Sequence, residues 1–172
     1  MTTPSAATNL DNPTLMADFL KTLIESTTYA MKVQGSLEIL ETISKIYDSE
    51  SFKEPIAIAA TIGIVGDTVK GGITLAFPKE TFLSIASEML GEKYTEINSE
   101  IQDLSGEFLN IIFGGIKSKF TDGKKIPLQP AVPIVVRSED LRFSFDTKEA
   151  TYIVTFKTKL GIFFAAAAIT LK

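Results

Sequence analysis

Residues 99–120 read SEIQDLSGEFLNIIFGGIKSKF. Asp103, Glu107 and Asn110 fall at i, i+4 and i+7. At about 100° per residue, a helix brings these three side chains within roughly 60° of one another, and Gly114 joins them one turn later. Leu104, Phe108, Ile111 and Ile112 fall on the other side and form a packing face. One face is therefore greasy. The other carries carboxylates and a carboxamide beside a residue with no side chain, where a second molecule can approach the helix closely. Spacing alone does not separate such a face from an ordinary solvated one.

Composition narrows the chemistry. The chain has 172 residues, 45% of them apolar, enough for one domain with a real core. It has no cysteine and no histidine. That removes disulfides, thiol nucleophiles, the commonest acid–base residue and the usual zinc ligands. A net charge of −4 argues against nucleic-acid binding, which asks for a basic face. The run FFAAAAI (163–169) is too short to span a bilayer and reads as a buried or interface strand. The opening MTTPSAATNLDNP lacks the basic-then-apolar pattern of a signal peptide; residues 1–12 are expected to be a flexible arm before a single domain, 13–172.

Cap-like residues Asn9 to Pro13 start a helix near Pro13, with Leu15, Phe19, Leu20, Leu23, Ile24 and Met31 as its apolar stripe. Ser36 to Tyr47 fits either a helix or an extended segment. Ile56–Val65 and Gly72–Phe77 read as strands joined by a turn in GDTVKGG, a stretch that lacks the spacing of a phosphate-binding loop. Pro78 opens a helix with Phe82, Ile85, Ala86 and Met89 inside, and Gly91 closes it. The main helix is expected from Ser99 to Phe120, capped by Asn98 or Ser99. TDGKKIPLQP is a loop, and Val132–Arg137, Leu141–Asp146, Ala150–Lys157 and Ile162–Leu171 read as strands. Phe143, Phe145, Tyr152, Phe156, Phe163 and Phe164 belong to a core or a subunit interface on this pattern. Long helices against a largely antiparallel sheet make an α+β fold.

The order Asp103-x-x-x-Glu107-x-x-Asn110, followed after Ile111 to Val132 by Pro133, resembles the signature of the CheC/CheX/FliY family of chemotaxis phosphatases. The likeness extends to VKGGITLAFPKETFLSIASEMLGEKY before the motif and PAVPIVVRSEDL after it, covers Pro55 onward, and is nearest the CheX branch. It implies a CheC/CheX-like fold and a cytoplasmic phosphatase that hydrolyses the aspartyl phosphate of a CheY-like response regulator. It also implies a homodimer, no metal or cofactor of the chain's own, and Mg²⁺ supplied by the regulator. No nucleic acid and no membrane insertion enter this reading.

An acyl phosphate is already activated. It needs an in-line water and charge stabilisation, which the regulator's Mg²⁺ and lysine can supply. A carboxamide offers donor and acceptor without changing charge, so Asn110 suits the orientation of that water. Glu107 suits an ion pair with the regulator's lysine. Asp103 either caps the helix or touches the partner at the rim. Gly114 and Gly115 allow close approach, of a partner or of the fold itself, and lie on different faces. Phe113 is a docking contact or a partial lid, Lys117 is a solvated lysine near the motif face, and Pro133 shapes entry into a strand. Some family members carry a second Glu-x-x-Asn on the first helix; here that place reads Glu25-Ser26-Thr27-Thr28, which points to one active site. Leu160–Ile169 is a nearly uninterrupted apolar run, expected to be an edge strand that pairs with a second copy, with burial in a two-layer core of one subunit as the competing explanation. The rivals are a non-catalytic adaptor of the same fold that binds a regulator or self-assembles, and a structural domain in which Glu107 and Asn110 are covered.

Overall fold

A computed structural model describes residues 11–142 and 149–172. The first helix, α1 (Asn12–Gly35), begins where Asp11 accepts a 2.8 Å hydrogen bond from the Thr14 amide, with Pro13 in the first turn. It ends at Ser36, whose left-handed backbone (φ 48°) closes the last turn. All but Asp11 and Asn12 of the expected N-terminal arm lies outside the described residues. Ser36–Tyr47, ambiguous in sequence, supplies strand β1 (Glu41–Ile46). Strands β2 (Ile58–Val65) and β3 (Val69–Phe77) form a hairpin in which Gly66 donates to the Val69 carbonyl at 3.0 Å. The turn is thus shorter than expected, and Val69 to Gly71 belong to the strand. Gly71 has to be glycine because a Cβ there would sit 2.1 Å from the Ala168 carbonyl oxygen.

Pro78 leads into α2 (Lys79–Leu90), which Gly91 closes at φ 70°. Helix α3 (Leu104–Ser118) follows and runs into a π-helical turn, Lys119–Gly123. Strands β4 (Ile134–Arg137), β5 (Tyr152–Thr158) and β6 (Gly161–Leu171) complete the described fold. The strand expected at Leu141–Asp146, with Phe143 and Phe145, lies largely outside the described residues.

The six strands make one antiparallel sheet in the order β1-β5-β6-β3-β2-β4. The apolar run in β6 is therefore not an edge: it lies between β5 and β3, its alanines buried on both faces. This corrects the expected dimer edge, because β6 spends its backbone hydrogen bonds within its own sheet. Among the described residues, the edge strands are β1 and β4.

The helices cover one face of the sheet. Phe77, Phe163 and Phe156 stack there with ring centroids 5.2 and 4.9 Å apart, and Phe19 meets Phe120 edge to face at 5.6 Å. A smaller cluster of Phe52, Ile56 and Phe164 lies on the other face. Helices α1 and α3 are antiparallel: Phe19 lies against Phe120, Ser26 against Gly115, and Gly35 beside Phe108. No helix among the described residues is long and apolar enough to cross a membrane.

Candidate functional site

The α3 helix is laid down by its own periodicity. Phe108, Leu109, Ile112, Phe113 and Ile116 are buried, and this greasy arc fixes the outward direction of the rest. Glu107, Asn110 and Gly114 are all exposed. Glu107 and Asn110 are three residues apart, so they stand as neighbours, with about 5–6 Å between their Cβ atoms. Neither side chain has a hydrogen-bond or ion-pair partner among the described residues. A carboxylate near the helix start sits favourably with the helix dipole while both of its oxygens stay open.

Asp103 is exposed and marks the boundary of α3; its carbonyl accepts from the Glu107 amide at 3.0 Å, but its carboxylate makes no capping bond. The expected helix start at Ser99 moves to Leu104. Residues 99–103 form turns instead, with the Asn98 side chain accepting from the amides of Glu100 (3.0 Å) and Ile101 (3.2 Å). Asp103 therefore sits at the rim of the motif face, before the helix proper.

Phe113 is 4% exposed. It is part of the core, so the expectation that it docks a partner or lids the site is corrected. Its flanking position on the helical wheel faces protein because α3 packs against both the sheet and α1. The two glycines separate cleanly. A Cβ at Gly115 would lie 2.8 Å from Ser26 Oγ, which makes this residue part of the α1–α3 contact. A Cβ at Gly114 would meet nothing within 4 Å. Lys117 is half-buried, two turns beyond Asn110.

Pro133, distant in sequence, comes to the site through β4. A Cβ at Gly106 would lie 3.1 Å from Val135 Cγ2 and 3.9 Å from Pro133 Cβ. The strand entry thus seats the first turn of α3, one turn before Asn110. Sequence reasoning missed Gly106; a glycine inside the first turn of a strongly amphipathic helix was the available signal. It also missed Arg137, whose guanidinium donates to the Ile97 carbonyl and ties β4 to the segment leading into α3.

The corresponding place on α1 is closed. Glu25 is held by Lys119, whose hydrogen bond keeps its carboxyl below the usual range. The Thr28 hydroxyl donates to the Ile24 carbonyl at 2.8 Å, back into its own helix. No group of three or more acidic, histidine or cysteine residues placed to hold a metal occurs among the described residues.

A family model described as "Chemotaxis phosphatase CheX" matches residues 58–157, well over half the chain. The chain belongs to the CheX family. Its fold agrees with solved structures of similar proteins. Chemotaxis protein CheX from Vibrio vulnificus is 24% identical over 88% of this chain and 99% of its own, with a TM-score of 0.78. A CheC-like superfamily protein from Shewanella is 26% identical over 88% and 97%, at a TM-score of 0.79. A chain of the CheX–CheY–BeF3–Mg²⁺ complex from Borrelia burgdorferi is 19% identical over 89% and 98%, at 0.74. A search of curated proteins gives no match.

Proposed function

We propose that this CheX-family chain hydrolyses the aspartyl phosphate of a CheY-like response regulator, with Glu107 anchoring the regulator and Asn110 orienting the attacking water. The observation that carries the reading is the pairing of an exposed, unpartnered Glu107 with an exposed, unpartnered Asn110 next to the open Gly114. A site that acts on another protein's side chain has to be reachable, and Glu107 and Asn110 are both exposed. The Borrelia relative, solved with CheY, BeF3 and Mg²⁺, supports a receiver as the partner class.

The regulator brings the phosphorylated aspartate, its Mg²⁺ and its lysine. Glu107 pairs with that lysine and sets the depth of docking. Asn110, one turn further on, then enters beside the acyl phosphate. Its carboxamide accepts from and donates to one water, holding it in line with the phosphorus–oxygen bond. Positioning of this kind can contribute several kcal/mol, of order 7 at the favourable end, so two side chains suffice. Asp103 touches the partner at the rim, and Gly114 lets the regulator's backbone approach α3. The compartment is the cytoplasm, where such regulators work.

The protein is proposed to act as a homodimer, with the pairing moved from β6 to β1. Every residue of β1 is exposed, and Leu40, Ile43 and Ile46 present apolar side chains there. Strand β4 is shorter and follows Pro133, which makes it the poorer template.

The test is decay of phosphorylated receivers from a panel, with and without the protein. Wild type should accelerate decay of its cognate receiver. Asn110→Ala should lose about 100-fold in turnover while still binding, and Glu107→Ala should weaken binding and turnover together. An Asn110→Ala protein that works at the wild-type rate would overturn the mechanism, and binding without any turnover would favour the adaptor reading.

A further inference from the structure

We infer that Tyr29 and Val33 of α1 form an apolar shoulder that docks the same response regulator beside Glu107 and Asn110, and that they help set which receivers bind. The inference rests on the proposed function and adds a second contact surface to it. Tyr29 is 61% exposed and Val33 60%. Elsewhere on α1, Leu15, Phe19, Leu23 and Met31 are buried, and Leu20 and Ile24 are half-buried. The other exposed positions between Lys21 and Lys32 are charged: Lys21, Glu25 and Lys32. Two large apolar side chains one turn apart on an otherwise charged surface form a patch rather than scattered exceptions.

The patch has a defined neighbour. Because α1 and α3 are antiparallel, the stretch between Ser26 and Gly35 on α1 faces the stretch between Gly115 and Phe108 on α3. Tyr29 and Val33 lie three and seven residues after Ser26, on the side of α1 that turns toward α3. The α3 stretch opposite them contains Asn110 and Gly114, with the half-buried Ile111 between. A Cβ at Gly114 would meet nothing within 4 Å, so the surface of α3 beside Asn110 is open. A partner that brings its acyl phosphate to Asn110 must cross Gly114, and its rim then rests on Tyr29. A second copy of this chain at the same place would cover Asn110 and exclude the regulator, whereas β1 offers self-pairing elsewhere. The occupant is therefore the receiver, through an apolar surface next to its phosphorylation pocket. Tyrosine suits the role: it supplies a large contact area at a small cost in side-chain entropy.

The experiment measures affinity for receivers held in the activated state with BeF3 and Mg²⁺, so that binding is read without turnover. Tyr29→Ala should weaken the cognate receiver about tenfold or more, Val33→Ser less, with kcat on saturating phosphorylated receiver little changed. Leu90→Ser, at an exposed apolar residue of α2, serves as the control and should leave affinity alone. Thermal unfolding checks that the variants fold. Unchanged affinity in Tyr29→Ala overturns the shoulder and leaves the proposed function standing. A change in oligomeric mass with unchanged receiver affinity overturns it in favour of a self-interface. If wild type binds no activated receiver, the proposed function falls and the shoulder with it.

Discussion

A methyl group added at Gly115 would press on Ser26 Oγ at 2.8 Å, whereas one added at Gly114 would find no atom within 4 Å. Glycine inside a helix costs up to about 1 kcal/mol relative to alanine. Gly115 recovers that cost by letting α1 come close; Gly114 recovers nothing within the chain. Gly114→Ala should therefore raise stability by up to about 1 kcal/mol, and Gly115→Ala should lower it, both read from denaturant midpoints. Gly114→Gln should keep the fold and lose affinity for the activated receiver. If Gly114→Gln binds normally, no partner uses that approach. The helical wheel already placed the two glycines on different faces, because face assignment depends only on spacing. It failed at Phe113, since spacing gives an angle but not what stands at that angle.

The segment between α2 and α3 shows where local sequence runs out. Asn98 was legible as a cap, but what it closes is a turn, with the Leu104 amide reaching only as far back as the Ile101 carbonyl, at 3.1 Å. Tyr94 holds this connection from outside. Its amide donates to Ser87 Oγ at 3.0 Å, and its single hydroxyl proton is shared between the carboxylates of Glu100, at 3.0 Å, and Glu92, at 3.3 Å. Loss of water around the phenol, then the Glu100 and Glu92 carboxylates, push its pKa up to about 12 from 10.0. The folded state keeps the proton longer than the unfolded chain does. This contribution is intact below pH 10 and drains away as pH rises from 10 toward 12. Between those values wild type should lose stability more steeply than Tyr94→Phe, followed by urea unfolding across the alkaline range; parallel slopes would remove Tyr94 from the account. Elsewhere the ambiguity at Ser36–Tyr47 resolves only through pairing, as Glu41–Ile46 lie in register with Lys157–Tyr152. The glycine at 71 is explained only by a carbonyl almost 100 residues away.

At the scale of the whole molecule, the α+β class and the apolar character of β6 were legible, because periodicity and composition report which faces are dry. Strand order was not. An apolar run of this kind looks the same whether its neighbours come from its own chain or from another, and only the pairing of β6 with both β3 and β5 decides it. With β6 interior, the proposed self-association falls to β1. Light scattering over a dilution series should show a dimer that Ile43→Lys converts to monomer, with receiver binding per chain retained. A single species at monomer mass across micromolar concentrations would sink the dimer. Pairing at β1 leaves the motif faces free, since the site's neighbour strand, β4, lies at the far edge of the sheet.

The central place of β6 also bears on how the chain is born. Of the described strands it is the last to leave the ribosome, and the sheet cannot close without it. Until residues 161–171 emerge, β3 waits with one side unsatisfied and β5 with one side open, separated by a gap one strand wide. Joining Val69 to Leu171 brings together residues about 100 positions apart in the chain, and such distant pairings form slowly. During synthesis the nascent chain therefore passes through an interval in which two half-sheets offer sticky borders to anything nearby, and chaperones have most to do.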